Sequence, residues 1–538
     1  MAGNCTYSCS NPPKHIPFNA DITGPGVIVG FLGAAGLLII LVTAHYFIAY
    51  QPQLDPFRDT SSNSSPRPLP FCPNPVDLMV LKTCRRASKP QNTISSISRW
   101  SYLDTQLTKC VLAMSDLQLA TGIAILISGY SQLRCGLSSF HWLIIGRLAW
   151  FATLTHLASL TFLRNYLYNR KAERKWRLLF MSILLVMLIT AVVPTGNYHS
   201  PHISTSLDVD RGPGIQEAND YAICHFFIHG PSRYPPAFAS MVVLVLIAVL
   251  GFAFRIVKLF QPLSLFIITV RSRISQRARR LLRVVYDWRN ATKAWQRVLG
   301  NMLYYPLLAL FLEARAVMDN FSSMFFEVYW LIAGFLWAVY GFLGEAGIIF
   351  PFDDAFDDIK DRSWSFGQVM PVVLLALPLI TILQTLHIGE GARPTVQSGD
   401  PCAATSPIII IPPRPSALSD FDPDKNYYQF SSGLKAASVY ILLWSFTIGA
   451  LFLFSPVISS ALQTPFFLIF ALLTPPVMLW AIILVSLPID CVSARKGAKW
   501  PCRLLQILNV FFFTCASGCL IFYVAFDLQA RVSYGWQS

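Results

Sequence analysis

The chain has 538 residues, of which 54% are hydrophobic and 13% are charged, and its formal net charge is +14. Soluble globular proteins carry about 25% charged residues, so this composition excludes an ordinary soluble domain. The basic residues are confined to particular loops between apolar blocks, as in the cytoplasmic loops of membrane proteins. We therefore expect membrane lipids as partners and no nucleic acid.

The chain opens with a polar, Pro-rich segment over residues 1–26. No basic region directly precedes a short apolar run, so we predict no cleavable signal peptide. The first apolar block, Val27–Tyr50, is long enough to cross a bilayer, which takes about 20 residues, and we expect it to act as a signal anchor. Asn4 begins the motif Asn-Cys-Thr and is the predicted glycosylation site.

The apolar blocks predict an all-α fold, a polytopic transmembrane helical bundle of about ten spans. The predicted spans are Val27–Tyr50, Cys110–Tyr130, Phe140–Leu163, Leu178–Pro194, Phe238–Phe260, Ser323–Glu345, Gln368–Leu386, Ser438–Leu462, Phe466–Ile489 and Leu504–Phe526. They divide the chain into an outer segment (1–26), a five-span bundle (27–260), a basic amphipathic linker with a short apolar segment (261–322), two spans with an acidic outer loop (323–386), a Pro-rich cytoplasmic loop (387–437) and three last spans with an outer tail (438–538). Residues 51–100 and 391–425 are expected to be irregular linkers.

Charge alternates between the loops in phase with the predicted spans. Lysine and arginine concentrate in the loops after the first, third, fifth and ninth spans, whereas the loop after the sixth contains five aspartates between Asp353 and Asp361. Because cytoplasmic loops are enriched in basic residues, both termini are predicted to be extracellular or lumenal. The expected location is the plasma membrane or an endomembrane of the secretory pathway.

Cysteine positions indicate disulfides and no metal site. The twelve cysteines form no CxxC pair and have no histidine at zinc-site spacing, so we expect no metal and no cofactor. Cys135 and Cys224 both lie in predicted outer loops, where the compartment is oxidising, and a disulfide between them is predicted. Cys5 and Cys9 are a second candidate pair, and four free thiols are the alternative that the sequence leaves open.

Residues 271–299 read as one basic amphipathic helix, with apolar residues at helical spacing and arginines between them. Such a helix is expected to lie in the inner membrane interface. Anchoring on anionic lipid is the favoured interpretation, and binding of a cytoplasmic partner is the alternative. The following segment, Asn301–Asn320, is predicted to be re-entrant or packed on the bundle, with Arg315 and Asp319 paired four residues apart.

Ionisable residues inside predicted spans are costly unless paired, which makes each a functional candidate. Asp116 and His156 are the catalytic candidates, because both lie about 10 Å from the inner ends of their spans at 1.5 Å per residue and are expected to meet. They would form a proton relay, an ion site or an acid/base pair, or else a hydrogen-bonded clasp between helices. The candidate ligand-binding residues are Gln118, Arg147 and Glu313.

Partners for the remaining charges are less well specified. Arg147 is expected to pair with Glu345 or with backbone carbonyls, because it lies on the outer half of its span. Glu313, Asp319 and Glu327 are expected near the inner face, in contact with solvent.

Three stretches carry a resemblance: SDLQLATGIAILISGYSQL from Ser115, HWLIIGRLAWFATLTHLASLTFLRNYL from His141 and WSFGQVMPVVLLALPLI from Trp364. Together with NADITGPGVIVGFL from Asn19, they resemble a large group of fungal multi-pass membrane proteins that has no established activity. The resemblance covers most of the membrane region and implies a filamentous fungus and a multi-pass architecture. It assigns no role to any residue.

Three functional classes follow from these observations. A receptor-like protein or scaffold is slightly favoured, because the outer N-terminus, the outer disulfide and the long basic loop after the fifth span superficially resemble a heptahelical receptor. A transporter would explain polar residues within spans, although the two halves show no internal repeat. A membrane-embedded enzyme of lipophilic secondary metabolism needs little more than one acid in an apolar pocket.

Overall fold

The computed structural model describes residues 7–9, 19–57, 73–87, 93–197, 220–226, 235–289, 292–345, 367–376, 380, 431–454 and 476–486. Within this part of the chain the secondary structure is helical, apart from one isolated β-bridge between Ser138 and Tyr221. The helices are α1 (Ala20–Thr23), α2 (Pro25–Ile48), α3 (Pro75–Ala87), α4 (Thr93–Gln132), α5 (Ser139–Phe162), α6 (Arg164–Asn169), α7 (Lys171–Val192), α8 (Pro235–Leu259), α9 (Gln261–Arg289), α10 (Ala294–Ser322), α11 (Met324–Glu345), α12 (Gly367–Ala376), α13 (Ser432–Phe454) and α14 (Pro476–Ser486).

Six segments are long and apolar enough to cross a membrane. They are Asp21–Ile48, Thr105–Cys135, Ser139–Phe162, Lys171–Asn197, Met241–Leu259 and Met324–Leu343. These segments coincide with the first six predicted spans, so the helical fold class is confirmed for this region. The seventh to ninth predicted spans overlap α12, α13 and α14, which are described only in part. The span Leu504–Phe526, Asn4, Cys5, the acidic outer loop and residues 391–425 lie outside the described residues.

Helix α5 is the central element, because almost every one of its side chains is buried. It packs against α2, α4, α7, α8 and α11. The Ser138 side chain caps its start by accepting a hydrogen bond from the His141 backbone amide at 3.3 Å, which satisfies one of the free amides of the first turn. A second apolar core joins α9, α10, α13 and α14.

Two predictions about the regions between spans are wrong. Residues 51–100 are not irregular throughout, because they contain α3, an amphipathic helix with one packed face. The single helix predicted over 271–299 is interrupted, because α9 ends at Arg289 and α10 begins at Ala294. The two helices instead pack against each other as a hairpin. Asn301–Asn320 lies within α10, which is packed on α9, α11 and α13.

The segments at the start of α5 are joined by a disulfide, and we call this the disulfide end of the bundle. Cys9 is bonded to Cys224, with Cα atoms 5.8 Å apart. The predicted Cys135–Cys224 bond is therefore wrong, although Cys135 is itself part of a disulfide. The Ser139 amide also donates to the Asp220 carbonyl at 2.7 Å. The N-terminal segment and the loops after α4 and α7 thus meet at this end.

Glycines allow the closest helix contacts. A Cβ atom on Gly122 of α4 would lie 2.7 Å from the Ala152 side chain of α5. On α2, a Cβ atom on Gly30 would overlap the Pro371 side chain of α12, and one on Gly33 would lie 2.7 Å from Leu375. Small residues at such positions let helices approach within a membrane, and here they seat α12 against α2.

Candidate functional site

A layer of polar side chains is buried between α4 and α5. The Ser115 hydroxyl lies 3.3 Å from His156 Nδ1 and donates to the Ser159 hydroxyl at 3.1 Å. Ser159 in turn donates to the His156 carbonyl at 2.9 Å. His156 is only 2% exposed, and its Nε2 has no hydrogen-bond partner among the described residues. The imidazole can therefore form one more hydrogen bond through Nε2, as donor or acceptor according to its tautomer.

The predicted contact between Asp116 and His156 is wrong. Asp116 points away from α5, with 53% of its side chain exposed, and pairs with Arg177 of α7 through two contacts, one of them 2.7 Å between Arg177 Nη2 and Asp116 Oδ2. Adjacent residues on a helix face directions about 100° apart, so Ser115 takes the place beside His156 that was assigned to Asp116. The pair is not an acid/base dyad.

A groove opens next to this layer, between α2, α4 and α12. It is shallow, with a cavity volume of about 20 Å³, and its walls are mostly apolar: Gly30, Phe31 and Ala34 of α2, Met114, Leu117, Gln118 and Thr121 of α4, and Pro371, Leu374 and Leu375 of α12. Gln118 is 4% exposed, and its Nε2 is 3.5 Å from the Gly30 carbonyl. Its Oε1 has no hydrogen-bond partner in the described part of the chain. Gln118, a predicted ligand-binding residue, thus lines the groove.

The other two predicted ligand-binding residues lie elsewhere. Arg147 on α5 stacks on the Trp337 ring of α11, with its guanidinium carbon 5.3 Å from the ring centroid. The face of an indole ring attracts cations, so Trp337 is one partner of Arg147; the side chain of Glu345, its predicted partner, lies outside the described residues. Glu313 on α10 is 7% exposed, not solvated as expected. Burial raises the pKa of its carboxyl from 4.5 to about 7.

A second polar group lies at the end of α5 that is opposite the disulfide end, where Glu327 of α11 is surrounded by bases. We call Thr161, Arg164, Arg255, Lys258 and Glu327 the ion cluster, and this end of the bundle the ion-cluster end. Arg164 Nη2 is 3.0 Å from Glu327 Oε1, and Lys258 Nζ donates to the same oxygen. Thr161 donates to Glu327 Oε2 at 2.8 Å and accepts from Arg255 Nε at 3.0 Å. Glu327 is buried and paired, which corrects its predicted exposure to solvent.

Asp77 of α3 fixes the start of α11 beside the ion cluster. Its two carboxylate oxygens accept hydrogen bonds from the backbone amides of Met324 at 3.0 Å and Phe325 at 2.9 Å, and Oδ1 also accepts from the Tyr46 hydroxyl at 3.0 Å. Burial raises the pKa of Asp77, and the helix amides oppose that shift. Arg85 holds α3 against the end of α2 by donating to the carbonyls of Phe47 and Tyr50.

Asp319 connects the hairpin to this end of the bundle. It pairs with Arg271 of α9 and lies 3.6 Å from Arg315 Nε, so the predicted Arg315–Asp319 pair is confirmed. Asp319 is 4% exposed, although it was predicted to be solvated. Lys258 also donates to the carbonyl of Ser322, the last residue of α10, at 3.0 Å. The hairpin and the ion cluster are therefore in direct contact.

Sequence reasoning missed Asp77 and the bases around Glu327. Asp77 lies in the first turn of α3, which follows a proline-rich stretch and has Pro75 as its first residue. Proline at that position is a usual signal for the start of a helix. That pattern could have revealed α3. It could not have revealed that Asp77 binds the start of α11, because Met324 is more than 240 residues further along the chain. Within the described residues, no group of three or more His, Cys, Asp or Glu side chains is arranged to hold a metal ion.

Comparisons with protein families, with curated proteins and with solved structures find no match to this chain.

Proposed function

We propose that the chain is a receptor-like integral membrane protein that binds a small lipophilic ligand in the groove and relays its presence to the ion-cluster end. In this proposal it has ten spans, with both termini outside the cytoplasm. The observation that carries the proposal is that one buried helix, α5, forms part of both polar sites. Ser115 follows Met114 of the groove wall and lies 3.3 Å from His156 of α5. Thr161 of the ion cluster follows His156 by five residues, about 7.5 Å along the helix axis.

The groove favours an apolar molecule with a single polar group. Most of its walls are aliphatic or aromatic, and Gln118 offers one buried amide oxygen that needs a hydrogen-bond donor. Leaving a buried polar atom unpaired costs about 1–3 kcal/mol, so a ligand hydroxyl at this position would contribute specificity as well as affinity. Long-chain alcohols have this chemistry: the hydroxyl would occupy the small groove, and the chain would extend outside it along the apolar helix surfaces.

In this proposal the ion cluster is the element that switches between two arrangements, one of them the paired arrangement described above. Its members come from α5, α6, α8 and α11, and it adjoins α3 and the end of α10. Breaking only one ion pair of such a buried network would leave an unpaired charge, which is costly. We therefore expect the pairs of the ion cluster to break or form together. In this proposal a shift of α4 produced at the groove reaches α5 through the contact between Ser115 and His156 and changes the cytoplasmic end, as in other switching proteins.

The proposed orientation agrees with the geometry of the two ends. The disulfide lies where the sequence predicts an oxidising compartment. The opposite end holds α3, α6 and the arginine-rich α9, which carry many of the bases that cytoplasmic loops contain.

The test uses a photoreactive, clickable long-chain alcohol as the probe. In membranes containing the full chain, we expect crosslinking to peptides of α2 and α4, and a reduction of about tenfold in Gln118→Leu, since the lost hydrogen bond is worth roughly 1.4 kcal/mol. Gln132→Leu, near the end of the same helix and outside the groove, is the matched control. Crosslinks elsewhere, or equal labelling in both variants, would contradict the ligand site.

A second readout tests the relay. Cys84 is an exposed thiol on α3, and a membrane-impermeant maleimide should label it from the cytoplasmic side only. We expect the probe to change the labelling rate in the wild type but not in Glu327→Gln, with Cys84→Ser identifying the signal. An unchanged rate in the wild type would show that the groove binds without signalling. Metabolite profiling of cells and medium, with and without the gene, would then separate an enzyme or transporter from a passive scaffold.

A further inference from the structure

Helix α9 presents three different faces, which is unusual for a linker. One face is buried against α10, with Leu282 and Val285 at 3% and 5% exposure. A second face is apolar and exposed: Leu263, Ile274 and Leu281 are 44%, 62% and 59% exposed and recur at helical spacing. The third face is basic, and no apolar contact within the described chain covers the second.

The basic face contains arginines that have no acidic partner among the described residues. Arg273, Arg277 and Arg280 are exposed and follow one another at intervals of four and three, so they form a line beside the apolar face. Other arginines of α9 are already engaged, such as Arg271 with Asp319 and Arg289 with the ring of Tyr286. The exposed three are therefore free to bind an external negative charge.

The position of α9 places these two faces at a membrane boundary. It follows α8 after the single residue Phe260, and α8 is one of the six segments able to cross a membrane. Exposed apolar side chains continue from Leu250 and Phe254 of α8 to Phe266 of α9. At the start of α10, Trp295 is 60% exposed, and tryptophan is enriched at membrane–water interfaces.

We propose that α9 is an interfacial helix that binds the anionic lipids of the cytoplasmic leaflet. Its apolar face inserts among the acyl chains, and Arg273, Arg277 and Arg280 contact lipid phosphates and carboxylates. Since α9 is tied to the start of α11 through Asp319 and the end of α10, the lipid composition of the leaflet sets the position of the ion-cluster end. This inference stands whether or not the groove binds a ligand.

The experiment compares the full chain reconstituted in vesicles of phosphatidylcholine alone and in vesicles that also contain phosphatidylserine. Hydrogen–deuterium exchange is followed by mass spectrometry over 271–289. We expect slower exchange in the anionic vesicles and loss of the difference at high salt, because salt screens exposed charges. Each arginine near an anionic surface changes its affinity by roughly fivefold, so the effect of three should be large.

Two variants test whether the charge of the three arginines causes the slower exchange in anionic vesicles. The triple variant Arg273→Glu, Arg277→Glu, Arg280→Glu should exchange at the same rate in both vesicles, whereas the matched triple Arg-to-Lys variant should keep the difference. Unchanged exchange in α5 serves to show that both variants fold. Equal wild-type exchange in the two vesicle types would overturn the proposal. So would a lipid effect that survives the glutamate substitutions, or protection that arises only when a cytosolic protein fraction is added.

Discussion

Glu313 and Glu327 are both buried carboxylates, but their surroundings differ. Glu327 accepts from two bases and a hydroxyl, so its charge is compensated. Glu313 forms no ion pair or side-chain hydrogen bond within the described residues, and burial alone raises its pKa to about 7. An uncompensated buried charge destabilises a fold, so Glu313 should make stability depend on pH near neutrality.

We expect the free energy of unfolding to fall as pH rises from about 4.5 through 7. The folded state binds the Glu313 proton more tightly than the unfolded state, so its stabilising effect is complete below the unfolded pKa and is lost above the folded one. The contribution should be about 3 kcal/mol, at roughly 1.4 kcal/mol for each unit by which the pKa differs between the folded and unfolded states. Thermal unfolding in detergent at several pH values measures it.

The Glu313→Gln variant should remove this slope, because the amide does not titrate. Asp287→Asn, which changes an exposed carboxylate on α9, is the control and should leave the slope intact. An identical pH dependence in wild type and Glu313→Gln would assign the slope to another group.

At the scale of single residues, the sequence predicts contacts that are local. Arg315 and Asp319 are one helical turn apart, and their pairing is confirmed. The contact between Asp116 and His156 depends on how two helices are rotated about their axes, which depth along the membrane does not specify. The bases around Glu327 come from other helices more than 60 residues away, so sequence spacing could not identify them.

The ion cluster joins several helices through one carboxylate. Replacing Glu327 with glutamine leaves Arg164, Arg255 and Lys258 buried near one another without a negative charge. Removing one partner of a buried ion pair costs about 3–5 kcal/mol, so we expect a loss of that order in the free energy of unfolding. Fluorescence-detected size-exclusion chromatography after heating gives the ranking of the variants.

Glu173→Gln is the matched control, because it removes an ion pair with Arg170 in which both side chains are exposed. Surface pairs contribute about 0–1 kcal/mol, so this variant should resemble the wild type. Adding Lys258→Met to Glu327→Gln should recover part of the loss. If Glu327→Gln were as stable as Glu173→Gln, the cluster would not hold the helices together.

The contact between α2 and α12 depends on Gly30, whose Cβ position is occupied by Pro371. We expect Gly30→Ala to destabilise the protein by about 1–3 kcal/mol, because forcing a methyl group into a packed contact displaces the neighbouring helix. The same change at Gly146 of α5, where no atom lies within 4 Å of the new methyl group, should be neutral or slightly stabilising. Equal thermal stability of the two variants would contradict this packing.

For single elements, hydropathy was a sufficient guide to the long apolar helices, because length and apolar content determine them. It failed for α3, whose helix is polar and is held by Asp77 and Arg85. It also failed to separate α9 from α10, since the amphipathic pattern continues across the break while the chain reverses direction.

In the whole molecule, one covalent bond joins the N-terminal segment to the loop after α7. Cys9 and Cys224 are 215 residues apart, and the basic residues of α6 and of the first turns of α7 offer trypsin sites within that interval. Under non-reducing conditions, mass spectrometry should find a peptide from the N-terminus linked to one containing Cys224, released by reductant. A linked peptide containing Cys135 and Cys224 would instead support the bond that the sequence favoured.

The overall architecture was predictable in its helical class and in its first six spans, because both follow from composition along the chain. The disulfide partner was not, since four cysteines in the predicted outer segments permit several connectivities. The groove was also unpredictable, because it is formed by three helices that are distant in sequence and close only after packing.

The Asp77 cap on α11 has a consequence for the synthesis and folding of the protein. Asp77 and Met324 are separated by 247 residues, and ribosomes add about 5–20 residues per second. For some tens of seconds after α3 is synthesised, the Asp77 carboxylate of each nascent chain therefore lacks the α11 amides that it binds in the folded protein. Ribosome stalling or truncation before Met324 would leave that end of the bundle unfinished, and such chains should be the ones that quality control removes.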